Sequence, residues 1–287
     1  MAFNFLHKES PCREGIEFCA RIILRIGVAL LGARITFDAF VDLGWHTVAF
    51  VVSALVLTII FGLCLARWNN EKGAFGVLTG GAVAICGASA ALAISAVLPR
   101  DSRIEQDTLF TVIGVTTLST VAMITYPMVA SYFSFSDIEA GIFIGGTIHD
   151  VAQVVGAGYG ISEPAGDIAT VVKLLRVTML VPVVLIISLV VSRKTGKGKT
   201  AMLPLPLFLV GFILLVVANS FSLLPEQTLP LFNDMSRAFL VMAIAGLGMK
   251  TALGDFKSLG FRPIAIIGLE TVFIAVLFLV VINLKLI

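Results

Sequence analysis

The chain has 287 residues, of which 58% are hydrophobic and 13% charged, with a mean hydropathy of +1.04 and a formal net charge of +2. Globular domains carry about 25% charged residues, so this composition leaves too little polar surface to cover a folded body in water. Soluble enzymes, nucleic-acid binders and secreted disulfide scaffolds are excluded. The apolar residues fall into blocks of roughly 20, long enough to cross a hydrocarbon core of ~30 Å as helices, and the fold class is an all-α polytopic helical bundle in a membrane.

The N-terminal stretch MAFNFLHKESPCREG is polar and lacks the charged-then-apolar pattern of a cleaved signal, so the first apolar block serves as its own insertion signal. That block, 16–35, contains Arg21, Arg25 and Arg34. Glu17, Arg21 and Arg25 form one i, i+4 stripe that continues to Gly32, with Glu17 and Arg21 oriented as a favourable ion pair, which reads as structural or gating. Blocks 44–66, 108–134, 167–192, 203–221, 230–249 and 263–284 read as spanning helices, with kinks at Pro127 and Pro182.

Blocks 74–98 and 136–160 are different. Both are dense in glycine and small or polar residues, and both carry a Gly-Gly pair, Gly80-Gly81 and Gly145-Gly146. Glycine costs a helix interior about 1 kcal/mol relative to alanine, so each block is expected to be broken or re-entrant. Broken backbone at membrane depth is tolerated where it is buried in protein or lines a wet cavity. These two segments are the expected heart of a single polytopic domain over residues 1–287.

Lysine and arginine placement bears on the topology. The stretches 67–73, 99–107, 193–199 and 250–262 hold Arg67, Lys72, Arg100, Arg103, Arg193, Lys194, Lys197, Lys199, Lys250, Lys257 and Arg262, whereas 36–43, 135–137, 160–166 and 222–229 hold none. Basic loops face the cytoplasm. All of them do so only if both Gly-rich blocks enter and leave on the same side, from opposite faces of the membrane. The N-terminus is then inside and the C-terminus outside. An ungapped internal match between Gly32–Thr47 and Gly248–Pro263 pairs Gly32 with Gly248, Arg34 with Lys250, Phe40 with Phe256, Leu43 with Leu259 and Gly44 with Gly260. The two units run in opposite directions, the inverted-repeat signature of many secondary transporters.

An ionisable group within a span costs about 2.5–3.5 kcal/mol on insertion scales and is a functional candidate by default. GGTIHDVAQVVGAG supplies His149, Asp150 and Gln153. His149 and Gln153 share a helical face, while His149 and Asp150 diverge by about 100° and cooperate only near a break. His149 is expected to donate to an anion or carry a coupling proton, with Asp150 holding it in place. AICGASAAL supplies Cys86, Gly87 and Ser89; a half-helix starting there would aim amide N–H groups at an anion. Lys173 and Arg176, three apart near the outer end of span 167–192, form an anion-attracting patch, with snorkelling to the surface as the alternative. For each of these residues a purely structural role is the competing interpretation. Asp234, Arg237 and Glu270 read as structural partners, and Arg193–Lys199 as a solvated loop.

Cys12, Cys19, Cys64 and Cys86 show no metal-type spacing and read as reduced thiols. Metal boxes, nucleophile elbows and phosphate-binding loops are absent from the sequence, so neither an enzyme nor a cofactor or metal is expected.

The assembled motifs resemble the YeiH-type sulfate exporter family of bacterial inner-membrane proteins. The resemblance rests on LRIGVALLGARITF (24–37), ICGASAALA (85–93), GGTIHDVAQVVGAG (145–158), KLLRVTMLVP (173–182), NSFSLLP (219–225) and LVMAIAGLGMKT (240–251), which cover essentially the whole chain in the family's order. Similar proteins carry further hydrophobic segments before the first of these motifs, so an N-terminal part of the scaffold is expected to be missing here. The resemblance implies a multi-pass inner-membrane secondary transporter exporting a small anion such as sulfate or sulfite. A coupling proton or other ion, a homo-oligomer and the surrounding lipid are the implied partners. A passive anion or weak-acid channel and a non-transporting membrane sensor are the alternatives.

Overall fold

The computed structural model of the protein describes residues 12–33, 43–99, 103–195, 207–250 and 261–287. Their regular structure is helical throughout: α1 (Arg13–Phe18), a π turn (Cys19–Ile23), α2 (Leu24–Leu31), α3 (Trp45–Trp68), α4 (Gly73–Ala84), α5 (Ala88–Val97), α6 (Ile104–Tyr132), α7 (Asp137–Thr147), α8 (Val151–Ile161), α9 (Glu163–Thr178), α10 (Leu180–Thr195), α11 (Leu207–Ser220), α12 (Leu229–Lys250) and α13 (Phe261–Asn283). Among the described residues, Trp45–Trp68, Ile104–Tyr132, Glu163–Arg193 and Pro263–Asn283 are long and apolar enough to cross a membrane. The chain is an all-α membrane protein, as its composition requires.

The described residues group into two compact units, one drawn from Met1–Gly44 and Leu205–Leu253, the other from Trp45–Pro204 and Gly254–Ile287. In the first, α12 crosses α2 at Gly27, where an added Cβ would press on Phe239 and Leu240 at 3.2 Å. Ser236 donates to the Gly27 carbonyl at 2.8 Å at the same crossing. Glu17 pairs with Arg13 at 3.4 Å, Arg25, Asp234 and Arg237 are exposed, and the side chain of Arg21 is not among those described. Most of the internal match, 34–42 and 251–260, lies outside the described residues, as does 196–199 of the basic run.

The second unit contains both Gly-rich blocks, and each is a hairpin of two short helices. α4 returns antiparallel along α3. An added Cβ on Gly62 would lie 2.7 Å from the Gly76 carbonyl, and one on Gly80 3.1 Å from the Thr58 carbonyl, so the absence of side chains is what lets these backbones approach. The chain then turns through Ile85, Cys86 and Gly87 and α5 folds back, close enough for a Cβ on Gly81 to strike the Ile94 side chain. Along an unbroken helix those two residues would stand ~20 Å apart. At the open end of the hairpin, Asp107 at the start of α6 feels the charges of Glu71, Lys72 and Arg103, so the chain enters and leaves on one side.

The second hairpin is α7 and α8. Ser136 opens it with a capping box to Glu139. Ser162 closes it, donating to Asp137 Oδ1 at 2.7 Å, so its two ends also meet on one side. Between them α7 runs parallel to α9, Gly141 against Ala165 and Ile168 and Gly145 against Ala169 and Val172, while α8 runs antiparallel, Gly158 against Gly166 and Ala169. Because α6 leads from the mouth of the first hairpin to the mouth of the second, the hairpins enter from opposite ends of the unit.

One boundary differs from the sequence expectation in a way that moves two candidate residues. From composition the third long span starts at 167 after a loop over 160–166. Instead Ser162 accepts the Ala165 N–H at 3.1 Å and Pro164 sits in the first turn, so α9 begins at Glu163 and one residue separates it from α8. Lys173 therefore lies ten residues inside the helix, ~15 Å from its start, about half the hydrocarbon thickness. The snorkelling alternative is overturned: Lys173 is fully buried. Pro182, lacking the N–H that would reach the Thr178 carbonyl, accounts for the interruption at Met179 between α9 and α10.

Candidate functional site

The two hairpin tips, Ile85–Gly87 and Ile148–Asp150, meet. They do so beside Ser119, near the centre of the 29-residue α6, and Thr271, near the centre of the 23-residue α13. An added Cβ on Gly87 would lie 3.6 Å from His149 Cβ. Gly87 has φ +62° and ψ −123°, a backbone conformation that only glycine adopts without strain. Asp150 breaks the other helix by capping α8, its Oδ1 accepting the Ala152 N–H at 2.9 Å.

Arg176 and Lys173 reach the tips from α9. Both are buried, and the hydrogen bonds the structure gives them go to backbone carbonyls. Arg176 Nε donates to Ala84 O at 2.8 Å, Nη2 to Val83 O at 2.8 Å, and Nη1 to Gly145 O and Ile148 O at 3.0 and 3.2 Å. Lys173 Nζ donates to Ile85 O at 2.7 Å and Ile148 O at 3.0 Å. These carbonyls are the ones that α4 and α7 leave without helical partners where they end, at the negative pole of each helix. Two basic side chains thus tie both tips together through backbone carbonyls.

His149 is fully buried. Its Nδ1 stands 3.1 Å from the Val83 carbonyl, which can only accept, so Nδ1 carries a hydrogen. Its Nε2 is 3.0 Å from Thr271 Oγ1. The backbone N–H groups of His149 and Asp150 both donate to Ser119 Oγ, at 3.2 and 3.1 Å. Gln153 Nε2 donates to Thr120 Oγ1 at 2.8 Å, and its Oε1 has no partner among the described residues. Cys86 and Gly87 are buried in the first tip, whereas Ser89, in the first turn of α5, is exposed. No side chain caps that turn. The structure therefore brings His149, Asp150, Gln153, Cys86, Gly87, Lys173 and Arg176 to one place, with Ser89 beside them on α5. Among the described residues no cluster of histidine, cysteine and acidic groups could hold a metal ion.

Ser119, Thr120, Thr271 and the Val83 carbonyl are site groups that motif reading passes over. Serine and threonine in an apolar helix ordinarily bond back to the preceding turn, as Thr120 does to Thr116 O at 2.9 Å. The one available hint was position, since Ser119 and Thr271 fall at the centres of their spans.

Taken together, opposed helical hairpins, long apolar helices and two buried basic side chains define a polytopic membrane protein with a polar centre. The chain belongs to the family described as Conserved hypothetical protein 698, whose model matches residues 1–267. It is 53% identical over 282 residues to a UPF0324 membrane protein of Chlorobaculum tepidum, covering 97% of this chain and 79% of that one. It is 49% identical over 280 residues to the UPF0324 membrane protein TauZ of Paracoccus denitrificans (96% and 83% covered) and 49% over 282 residues to a UPF0324 membrane protein of Rhizobium meliloti (97% and 82%). No solved structure matches the chain.

Proposed function

We propose that the protein is a secondary transporter of a small inorganic or organosulfur-derived anion, such as sulfite or sulfate, in the bacterial inner membrane, and not an enzyme. The observation that carries this reading is the pair of buried cations, Lys173 and Arg176, where the hairpin tips meet. A buried charge is expensive, and two of one sign raise the local potential for an anion. Because their N–H groups are engaged with carbonyls, their part is to supply field and fix the tips. Direct contacts to the anion fall to the uncapped first turn of α5, including the amide and hydroxyl of Ser89, and to the His149–Asp150 tip. Movement of a tip would open the site to one face or the other. On this reading the basic stretches face the cytoplasm, the partners are the anion, a coupling proton or other ion, and lipid, and the mass of the purified assembly tells a homo-oligomer from a monomer.

The test is counterflow of radiolabelled sulfite and sulfate in proteoliposomes. Saturable exchange that is lost in Lys173→Met supports the transporter. Flux rising linearly with concentration, without exchange, indicates a channel, and absence of flux for every small oxyanion and carboxylate tried removes the reading in favour of a sensor.

A further inference from the structure

Glu270 lies on α13 one position before Thr271, and it is fully buried. Its Oε1 is 2.8 Å from Thr79 Oγ1 on α4, and its Oε2 has no partner among the described residues. Gly62 makes room for it, since an added Cβ there would lie 2.5 Å from Glu270 Oε1. A structural carboxyl would be expected to have both oxygens engaged, because an unsatisfied buried polar atom is costly. This one is held by a single hydroxyl.

That hydroxyl has a second choice. Thr79 Oγ1 is also 3.1 Å from the Phe75 carbonyl, and it has one hydrogen to give. With Glu270 ionised, Thr79 donates to Oε1. With a proton on Oε1, the carboxyl donates to Thr79 Oγ1 and the threonine turns its hydrogen to Phe75 O. Rotation of one hydroxyl therefore serves both forms. The same device stands at the next residue: Thr271 Oγ1 is 3.0 Å from His149 Nε2 and 2.8 Å from the Ile267 carbonyl. Neutral His149 accepts from Thr271; protonated His149 donates to it while Thr271 donates to Ile267 O.

We propose that Glu270 is a proton-binding site, paired through adjacent positions of α13 with His149, so that one proton carrier is bonded to each hairpin. Proton binding at Glu270 stands by itself; its coupling to anion movement rests on the function proposed above. The elements packed on α13 bring no charged partner to this carboxyl among the described residues. Arg67 on α3, Glu105 and Asp107 on α6, and Asp137 and Glu139 on α7 lie at the ends of their helices, and Tyr126 of α6 packs on Phe143. Lys173, Arg176, Asp150 and Cys86 gather on the His149 side. A metal cation fits less well, since it would need several free oxygen ligands where Thr79 supplies one.

The experiment is infrared difference spectroscopy of the purified full chain across pH, following the stretch of the protonated carboxyl, together with sulfite flux in proteoliposomes with and without a pH gradient. A carboxyl band that titrates in the unaltered protein and is missing from Glu270→Gln is the expected result, and a band unchanged by that substitution, or one that does not titrate, overturns the proposal. Should Glu270→Gln not fold, Thr79→Val keeps the carboxyl and removes the rotor; a moved midpoint supports the assignment and an identical one refutes it. In flux, Glu270→Gln should abolish the response to the gradient. A titrating band in a protein that moves no anion would leave the proton site standing and remove the transporter.

Discussion

Asp137, the first residue of α7, and Ser162, the residue that follows α8, are joined by a hydrogen bond of 2.7 Å although 25 positions separate them. That bond closes the second hairpin and makes the topology testable. In closed vesicles, cysteines placed at 137 and 162 should react with an impermeant maleimide from one and the same side. Cysteines at Lys72 and Arg103, at the mouth of the first hairpin, should react from the other. Labelling of 137 and 162 from different sides would turn the hairpin into a crossing.

Arg176 is expected to matter more for folding than its position on an apolar helix suggests. Arg176→Leu removes the donors from four carbonyls. Val83 O keeps His149 and Ile148 O keeps Lys173, but Ala84 O and Gly145 O lose the donor shown here. At about 1–3 kcal/mol for each buried unsatisfied group, the cost is on the order of 2–6 kcal/mol. Arg176→Lys keeps the charge and cannot reproduce the planar fork, so it should fall between. Thermal unfolding in detergent reads both; equal stability of all three proteins would refute the clamp.

How much of this was legible in the chain divides along a physical line. Breaks announce themselves, because Gly87 and the Asp150 cap are local chemistry. His149, Lys173 and Arg176 stand out because charge is rare in apolar helices. Their partners do not: Lys173 and Arg176 bind backbone carbonyls some 25 to 93 positions away, and a carbonyl has no letter in a sequence. For the same reason Glu270 reads as a structural partner until its bond to Thr79 and an Oε2 without a partner among the described residues are seen together.

Ser119 serves the second tip. One hydroxyl oxygen accepts the N–H groups of both His149 and Asp150, so Ser119→Ala leaves one buried and one part-buried amide unserved. The expected loss is about 2 kcal/mol or more, and Ser119→Thr, which retains the oxygen, should recover part of it. Hydrogen exchange at those two amides gives a readout that general destabilisation does not: they should exchange faster in Ser119→Ala while the amides of α4 keep their protection.

Gly87→Ala and Gly145→Ala should both destabilise, for different reasons. At Gly87 the nearest atoms to an added Cβ stand 3.6 Å away, so space is adequate and the cost is backbone strain at φ +62°. Strain of this kind is worth about 1–3 kcal/mol. At Gly145 the backbone is helical and the cost is steric: the Cβ would collide with the Ala169 carbonyl and lie 2.9 Å from Val172 Cβ, forcing α7 away from α9. Overpacking of this kind costs about 1–3 kcal/mol. A compensating change separates them. Val172→Gly, which removes the Cβ at 2.9 Å, should couple favourably to Gly145→Ala and not to Gly87→Ala, as measured by a double-mutant cycle of thermal unfolding. Equal rescue of both would mean that neither tip is held as described.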